Sequence, residues 1–310
     1  MLARVGAIAL NTYREAVRAR ILHGLFGLAL ATAGYSVVVG AFALNSGMRV
    51  ISDLGAASIS LYGIVVAVVL GATSLYRELE LKTIFPILAR PIHRSEYLVG
   101  KYLGTVLTLA VFIAANSGAL LLALGVEGGR SALGALGLAG AITLLAGVAA
   151  WRSTRGRTFL PIPWALALLA AGAWFSTWAP DDRRVVLGSA LLTLSEVSII
   201  AAIATVFAAF SSPFLTALFT LGVFLVGRSA DTLARLPPRV VSEAVASFAA
   251  AVAKVVPNLM VYVPPRPLLT GEASGVSLGS YLGMAVVHAL AWAVLLLTCA
   301  SLLFRRRDFL

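Results

Sequence analysis

Long apolar runs without a charged residue constrain this chain more than any other feature. A helix of about 20 residues crosses the roughly 30 Å hydrocarbon layer of a membrane. The runs that reach this length are 22–44, 54–76, 102–126, 131–151, 158–180 and 278–304. Only 12% of the residues are charged, about half the share of a soluble domain. The sequence therefore predicts an all-α integral membrane protein, a polytopic helical bundle forming one transmembrane domain over 1–310.

A further apolar stretch, 185–227, is too long for one helix and carries a single charged residue, Glu196. We expect it to break at the Ser-Ser-Pro sequence 211–213, because proline is tolerated in the first turn of a helix but not in its interior. The two resulting spans are about 186–210 and 213–228, and the second is short for a full crossing unless it continues past Arg228. With them the predicted count is eight spans, and the polar segments 45–53 and 180–184 between spans are predicted to be turns.

The first segment, 4–21, is amphipathic. Its apolar residues recur at three- and four-residue spacing, while its basic and polar residues gather on the opposite side. That pattern is typical of a helix lying in the membrane interface. Its candidate functional residues are Tyr13, Arg14, Glu15 and Arg18. A helix that packs on a partner protein is the alternative.

The distribution of basic residues predicts the orientation. Segments on the cytoplasmic side of membrane proteins are enriched in Lys and Arg. With the N-terminus inside, the inner segments hold most of the 24 Lys and Arg residues, including the three arginines at 305–307. Eight spans then place both termini in the cytoplasm. The segment 228–277 becomes an extracytoplasmic loop, in which 240–256 is predicted to form an amphipathic helix, interface-lying or re-entrant.

Motifs for catalysis or cofactor binding are not found in the sequence. The lone Gly100-Lys101 pair is followed by Tyr102, so it does not form a nucleotide-binding P-loop. The single cysteine, Cys299, excludes an intrachain disulfide and a cysteine metal motif. We expect no enzymatic activity and no catalytic, cofactor or metal site in this chain. We also expect no nucleic-acid binding, since its basic residues form short clusters between apolar runs.

Glu196 is the one carboxylate expected inside a predicted span. Such residues by default mark a pathway or a polar contact. The alternative is a packing role, in which the carboxylate accepts a hydrogen bond from a serine of a neighbouring helix or from the neighbourhood of Ser195 and Ser198.

The segment 77–101, RELELKTIFPILARPIHRSEYLVGK, interrupts the apolar pattern most strongly. Apolar residues lie between charged flanks, as in a short helix that inserts into a cleft of a soluble protein. A lipid-facing basic loop is the alternative, but the acidic residues of the segment would be repelled by anionic headgroups. These acidic residues are Glu78, Glu80 and Glu96.

The same segment resembles the cytoplasmic segment between the second and third helices of ABC-2 type transporter permeases. The matching residues are Glu78, Glu80, Thr83, the apolar run 84–88, Pro91, Ile92, Arg94, Gly100 and Lys101. Further matches are the Tyr-Arg-Glu at 13–15, the Phe-Ser-Ser-Pro turn at 210–213, the Pro-Asn-Leu at 257–259 and the Arg-Arg-Asp-Phe at 306–309. Together they are spread over most of the chain.

The resemblance implies a multi-pass permease subunit of an ATP-driven ABC transporter, expected to be an exporter in the bacterial inner membrane. Its partners would be two cytoplasmic ABC ATPase subunits, which bind ATP and Mg, and a second permease copy or a homologous permease. The ATPases would engage a coupling helix within 77–101, with contacts at Glu78, Glu80, Thr83, Phe85, Ile87 and Leu88. Such permeases usually have six spans, so 131–151 and 158–180 would be an extra pair.

The sequence does not name a substrate. The low polarity of the spans favours a lipid-like, amphipathic or polymeric cargo. One alternative is a membrane scaffold that transmits ATPase motion to an extracytoplasmic protein through 228–277, without transport. Another is a proton-coupled carrier that uses Glu196.

Overall fold

The computed structural model is an all-helical bundle. It describes residues 2–44, 46–80, 93–152, 158–235, 242–272, 275 and 277–305, and only the backbone at 2, 75–80 and 305. Over these residues there is no strand. The helices are α1 (Leu2–Val17), α2 (Arg20–Phe42), α3 (Gly47–Glu80), α4 (Arg94–Glu127), α5 (Ala132–Arg152), α6 (Pro161–Phe175), α7 (Pro180–Ala208), α8 (Pro213–Arg228), α9 (Ala230–Ala234), α10 (Glu243–Val255), the short 3-10 helix Leu259–Tyr262, α11 (Arg266–Thr270) and α12 (Leu278–Arg305).

Within the described residues, six helices are long and apolar enough to cross a membrane. They are α2, α3, α4, α5, α7 and α12, which confirms the prediction of an all-α, polytopic membrane protein. The apolar helices α6 and α8 are shorter, with 15 and 16 residues, or about 22 and 24 Å of helix. They lie within the predicted spans 158–180 and 213–228, and the count of eight crossings stays a prediction.

The bundle has two ends, and at each of them the ends of helices that are distant in the sequence meet. At the end that we call the α1 end, α1 meets the end of α3, the start of α4 and the end of α12, and Lys101 of α4 donates to the Ser74 carbonyl of α3. At the opposite end, which we call the far end, Arg266 of α11 pairs with Asp53 of α3 and Asp182 of α7. The predicted orientation puts the α1 end in the cytoplasm.

Two helices begin earlier than predicted. The segment 45–53 was expected to be a polar turn, but α3 begins at Gly47. The segment 180–184 was also expected to be a turn, but α7 begins at Pro180 and holds two aspartates in its first turn. Proline at the first helical position and acidic residues beside the positive end of the helix dipole both favour a helix start. The turn interpretation was therefore wrong at both places.

The predicted extra pair of spans is split between the core and the periphery. Helix α6 packs closely on α4, where a Cβ atom added at Gly172 would lie 2.4 Å from the carbonyl oxygen of Gly118. Helix α5 has only Ala135 buried and exposes large apolar residues along its length, among them Leu136 and Leu144. In a membrane protein such a surface is the one expected to face lipid.

Candidate functional site

Helix α1 lies directly on the start of α4. A Cβ atom added at Gly104 would stand 2.4 Å from the carbonyl oxygen of Ala9, so the two helices are in backbone contact. Tyr13 is fully buried and its ring stacks on Phe159 at 6.4 Å between centroids, while burial raises the pKa of its hydroxyl to about 12. The Arg14 guanidinium lies 4.5 Å from the centre of the same Phe159 ring. The apolar face of α1 thus packs on the chain's own helices, and its location in a membrane interface stays a prediction.

Lys101 connects three helices at the α1 end. Its side chain is 6% exposed, and its Nζ donates to the carbonyl oxygen of Ser74 at 3.1 Å. The same Nζ lies 3.9 Å from Oε2 of Glu15 and 5.9 Å from the centre of the Tyr97 ring. A buried ammonium group needs such partners, because leaving it unpaired costs several kcal/mol. The lysine that was noted as the last residue of the predicted contact segment therefore holds α1, α3 and α4 together.

The start of α4 is also joined to the end of α12. Arg94 Nη1 donates to the carbonyl oxygen of Phe304 at 3.0 Å, and the Phe304 ring stacks on Tyr97 at 6.4 Å. Glu96 completes the N-terminus of α4 by accepting a hydrogen bond from the backbone N–H of His93 at 3.4 Å. A displacement of the first turn of α4 would consequently be felt by both α1 and α12.

The predicted coupling residues lie largely outside the described part of the chain. Thr83, Phe85, Ile87 and Leu88 fall between α3 and α4, in 81–92. Glu78 and Glu80 are in the last turns of α3, where only the backbone is described. Their role stays a prediction, and the structure describes the two helix ends that bound the segment.

Glu196 is paired with an arginine, and it also accepts a side-chain hydrogen bond from Ser60 of the neighbouring α3, as the packing alternative expected. The carboxylate is 1% exposed and accepts hydrogen bonds from Nε and Nη2 of Arg228 at 2.7 and 2.8 Å. The nearby Ser195 and Ser198 donate within their own helix, to the carbonyl oxygens of Leu191 and Ser195. The sequence analysis considered Arg228 only as the end of a short span. The available signal was that Arg228 is the next charged residue after Glu196, beyond a tight turn between two helices.

Helix α8 stops at Arg228 and does not continue past it. A Cβ atom at Gly227 would lie 2.8 Å from the carbonyl oxygen of Pro257, so a later part of the chain covers the end of the helix. That part then runs along α7 to the far end, where Arg184 Nη1 donates to the carbonyl oxygen of Thr270 at 3.3 Å. The helix is interrupted at Ser229 and followed by the short α9, and a full crossing by this span stays a prediction.

A cavity of about 690 Å³ lies between α3, α7, α8 and the segment 259–269. Its polar lining includes Arg228 and the hydroxyl-bearing residues Ser60, Ser189 and Thr193. The apolar lining includes Ile64, Leu61, Phe224, Met260 and Leu269. A site with apolar walls and a few polar groups suits a ligand that has an apolar body and one polar end.

Charged residues form a second connection at the rim of this cavity. Arg266 contacts the carboxylates of Asp53 and Asp182, and Ser52 Oγ donates to Asp182 at 2.8 Å. The cluster joins α3, α7 and α11, and the sequence analysis did not identify it. Nearby, the Tyr262 hydroxyl lies 2.8 Å from Nδ1 of His288. In the described ranges no three His, Cys, Asp or Glu side chains are grouped as a metal site would require.

Comparison with known proteins was made for the whole chain. The family described as ABC-2 family transporter protein matches residues 6–309, which is nearly the entire sequence. A comparison with curated proteins gives no match. The family comprises membrane subunits that work with ABC ATPase subunits, and the predicted resemblance is confirmed. The chain, with its membrane-spanning helices and its α1 end built around Lys101, belongs to the ABC-2 transporter family.

Proposed function

We propose that this chain is the permease subunit of an ATP-driven exporter, working as a pair with a second copy or a homologous permease on two ABC ATPase subunits. The observation that carries the proposal is the connection of helix ends at Lys101. The ends of α3 and α4 that bound the predicted coupling segment are tied there to each other and to α1. A push on the segment from the ATPase side would move these helices together.

The contacts at the α1 end suit the transmission of force. The close approach of α1 to Gly104 leaves no space for independent sliding, and well-packed interfaces respond to strain by shifting as units. The links from Arg94 and Tyr97 to Phe304 extend the same unit to α12. Motion that begins between α3 and α4 would therefore reach three of the long helices.

The cavity at Arg228 supports an amphipathic or lipid-like substrate. Its apolar walls would hold acyl or ring groups, while Arg228 and the neighbouring hydroxyl groups would hold a polar or anionic end. The cavity lies beside α3, so movement of that helix would change its width. Because α3 contributes both to the α1 end and to the wall of this cavity, it would connect ATP hydrolysis to a change at the substrate site.

A cross-linking experiment tests the ATPase contact. The native cysteine is exposed and single, so Cys299→Ser gives a cysteine-free background. In that background we expect Ile87→Cys to cross-link to the ATPase subunit in the co-purified complex, with a yield that changes on ATP binding. Leu133→Cys is the matched control and should give no product. Leu133 is 82% exposed and lies at the start of α5, near the far end of the bundle.

Equal cross-linking at both positions, or none at position 87 in an active complex, would contradict the proposal. A substrate-dependent increase of the ATPase rate is the second requirement. Its absence across lipid-like and amphipathic compounds would remove the exporter part of the proposal.

A membrane scaffold is the second candidate, and α10 favours it. Phe248 and Val255 on this helix are 71% and 75% exposed, in the segment that the predicted orientation would put outside the cytoplasm. An apolar patch of this kind marks contact with lipid or with another protein. The test is a complementation assay with Phe248→Asp in cells that lack the native gene. If this variant fails to complement, and no tested compound stimulates the ATPase rate of the wild-type complex, the scaffold is the better explanation.

A proton-coupled carrier has the least support. Glu196 is engaged by two hydrogen bonds from one guanidinium, and a proton route through it would have to break this pair in every cycle. The test is transport by Glu196→Gln without ATPase subunits. A proton-dependent flux that is lost in this variant would favour the carrier.

A further inference from the structure

A second cavity, distinct from the one at Arg228, lies at the α1 end. It measures about 880 Å³ and opens between the polar face of α1, the start of α2 and the later part of α3. Three arginines line it: Arg14, Arg18 and Arg20. The acidic residue of the lining, Glu15, is already near the ammonium group of Lys101. The cavity is therefore strongly basic.

Arg18 and Arg20 are exposed, and in the described part of the chain neither has an ion-pair partner. Keeping such charges together without a counter-ion is unfavourable. An anion between them would be held by two guanidinium groups, each of which offers several N–H donors in a planar fork.

The start of α2 adds backbone donors to the same cavity. Ala19, which precedes the helix, makes no side-chain cap, and the first turn contains no acidic residue. Ala19, Arg20 and Ile21 all line the cavity. The Leu22 N–H donates to the Ala19 carbonyl oxygen. The N–H groups of Arg20 and Ile21, without a side-chain cap, and the positive end of the α2 dipole favour an anion at this place, in addition to the arginines.

The remaining wall is apolar. Ile21, Val69 and Leu70 lie beside the basic residues, and α2 continues from this point as a membrane-spanning helix. A small adjoining cavity of about 40 Å³ is lined by Thr12 and Ser74, whose buried hydroxyl groups have no partner within the described residues. The site thus combines a basic mouth, an apolar side and polar atoms suited to bound water.

We propose that this cavity binds the phosphodiester headgroup of an anionic phospholipid, with an acyl chain lying along the apolar wall toward α2. Basic pockets beside membrane helices attract anionic headgroups, at roughly 1 kcal/mol for each Lys or Arg near the surface. Glu15 lines the site and lies 3.9 Å from the Lys101 ammonium group, so the bound lipid would influence the position of α1 on α4. The proposal holds for a permease and for a scaffold alike.

The test measures lipid retained by the purified full-length chain, by native mass spectrometry during titration with dioleoylphosphatidylglycerol. Replacing both arginines, in R18Q/R20Q, should weaken binding about thirty-fold. The charge-conserving R18K/R20K should keep most of the affinity. Arg152→Gln is the matched control, because Arg152 is exposed at the same end of the bundle and does not line the cavity.

Two further titrations of the wild-type chain identify the source of the phosphate. Dioleoylphosphatidylcholine, which carries a phosphate but no net charge, should bind much more weakly than dioleoylphosphatidylglycerol. Inorganic phosphate at millimolar concentration should not displace the lipid. Equal binding of the two lipids, full displacement by inorganic phosphate, or an unchanged affinity in R18Q/R20Q would each overturn the proposal. If R18Q/R20Q does not fold, the lysine variant and the lipid comparison decide.

Discussion

The two ends of the bundle are held together by different physical means. At the α1 end, α1 meets α4 through backbone contact at Gly104, and one buried lysine joins three helices. In the half that contains the far end, close backbone contact, as at Gly227, is accompanied by arginine–carboxylate pairs between separate elements, one centred on Arg228 and one on Arg266. The first kind of contact resists sliding, whereas the second can separate and re-form.

This difference suits the α1 end to transmitting motion and the other half to opening and closing around a cavity. Close backbone packing carries a displacement without loss, because no side chain can yield between the helices. Ion pairs between separate elements are directional and sensitive to water and salt, which suits a region that opens around a cavity. Substitutions in the two regions should therefore differ in size and in kind.

The largest effect is expected for Arg228→Met. It leaves the Glu196 carboxylate buried without its partner, and breaking one side of such a pair costs about 3–5 kcal/mol. Thermal unfolding followed by tryptophan fluorescence in detergent should show a large decrease in the midpoint. Arg235→Met, an exposed neighbour in the same part of the chain, should change little.

The double variant Glu196→Leu with Arg228→Met makes the first prediction specific. Replacing both partners of a buried pair by apolar groups is often neutral or stabilising, so most of the lost stability should return. If Arg228→Met alone were as stable as the wild type, water would have to reach the Glu196 carboxylate freely. A double variant as unstable as the single one would assign the effect to packing and not to charge.

Gly104→Val should have the next largest effect. The added Cβ would overlap the Ala9 carbonyl oxygen, and overpacking of this kind costs about 1–3 kcal/mol. The thermal midpoint should fall and α1 should become accessible to limited proteolysis. The control is Gly137→Val on α5, where nothing lies within 4 Å of the added atom. If the two variants were cleaved at the same rate, the contact at Gly104 would not be what holds α1 on α4.

Lys101→Met tests whether the α1 end transmits motion. The substitution leaves the Ser74 carbonyl without its donor, at a cost of about 1–2 kcal/mol. The complex should still hydrolyse ATP, but substrate should no longer stimulate the rate. Lys254→Met on the exposed face of α10 is the control. Normal stimulation in the Lys101 variant would exclude the lysine from coupling.

The sequence predicted the helical class, the family and the long spans, because each depends on local apolar length or on a short motif. The first turns of α3 were misinterpreted, since the polar residues Arg49 and Asp53 look like a turn although they form one face of a helix. The break between the first two helices was predicted from the change from an amphipathic to a charge-free pattern near position 21. The structure has it at Ala19, whose backbone is extended between α1 and α2.

Pairs between distant residues were the part that could not be predicted. Arg228 and Glu196 are 32 positions apart, and Arg266 and Asp53 are separated by 213. No periodic pattern links such positions, so only the packing of α3, α7, α8 and α11 brings them together. The buried position of Lys101 was missed similarly, because its location at the end of a charged segment indicated an exposed residue.

The smallest effect is expected for Arg266→Gln, and it should depend on salt. The Arg266 and Asp182 side chains are 19% and 16% exposed, while Asp53 is 46% exposed, so solvent screens much of the interaction and about 1 kcal/mol is the expected loss. The difference in thermal midpoint from the wild type should be visible near 0.01 M salt and nearly absent near 1 M, where the screening length falls from about 30 to about 3 Å. Arg49→Gln removes only an exposed pair with the same Asp53, at 66% side-chain exposure of the arginine, and is the control, for which a much smaller change is expected at both concentrations. A salt-independent loss in the Arg266 variant would mean that the far end is held by packing, as the α1 end is, and the contrast between the two regions would fail.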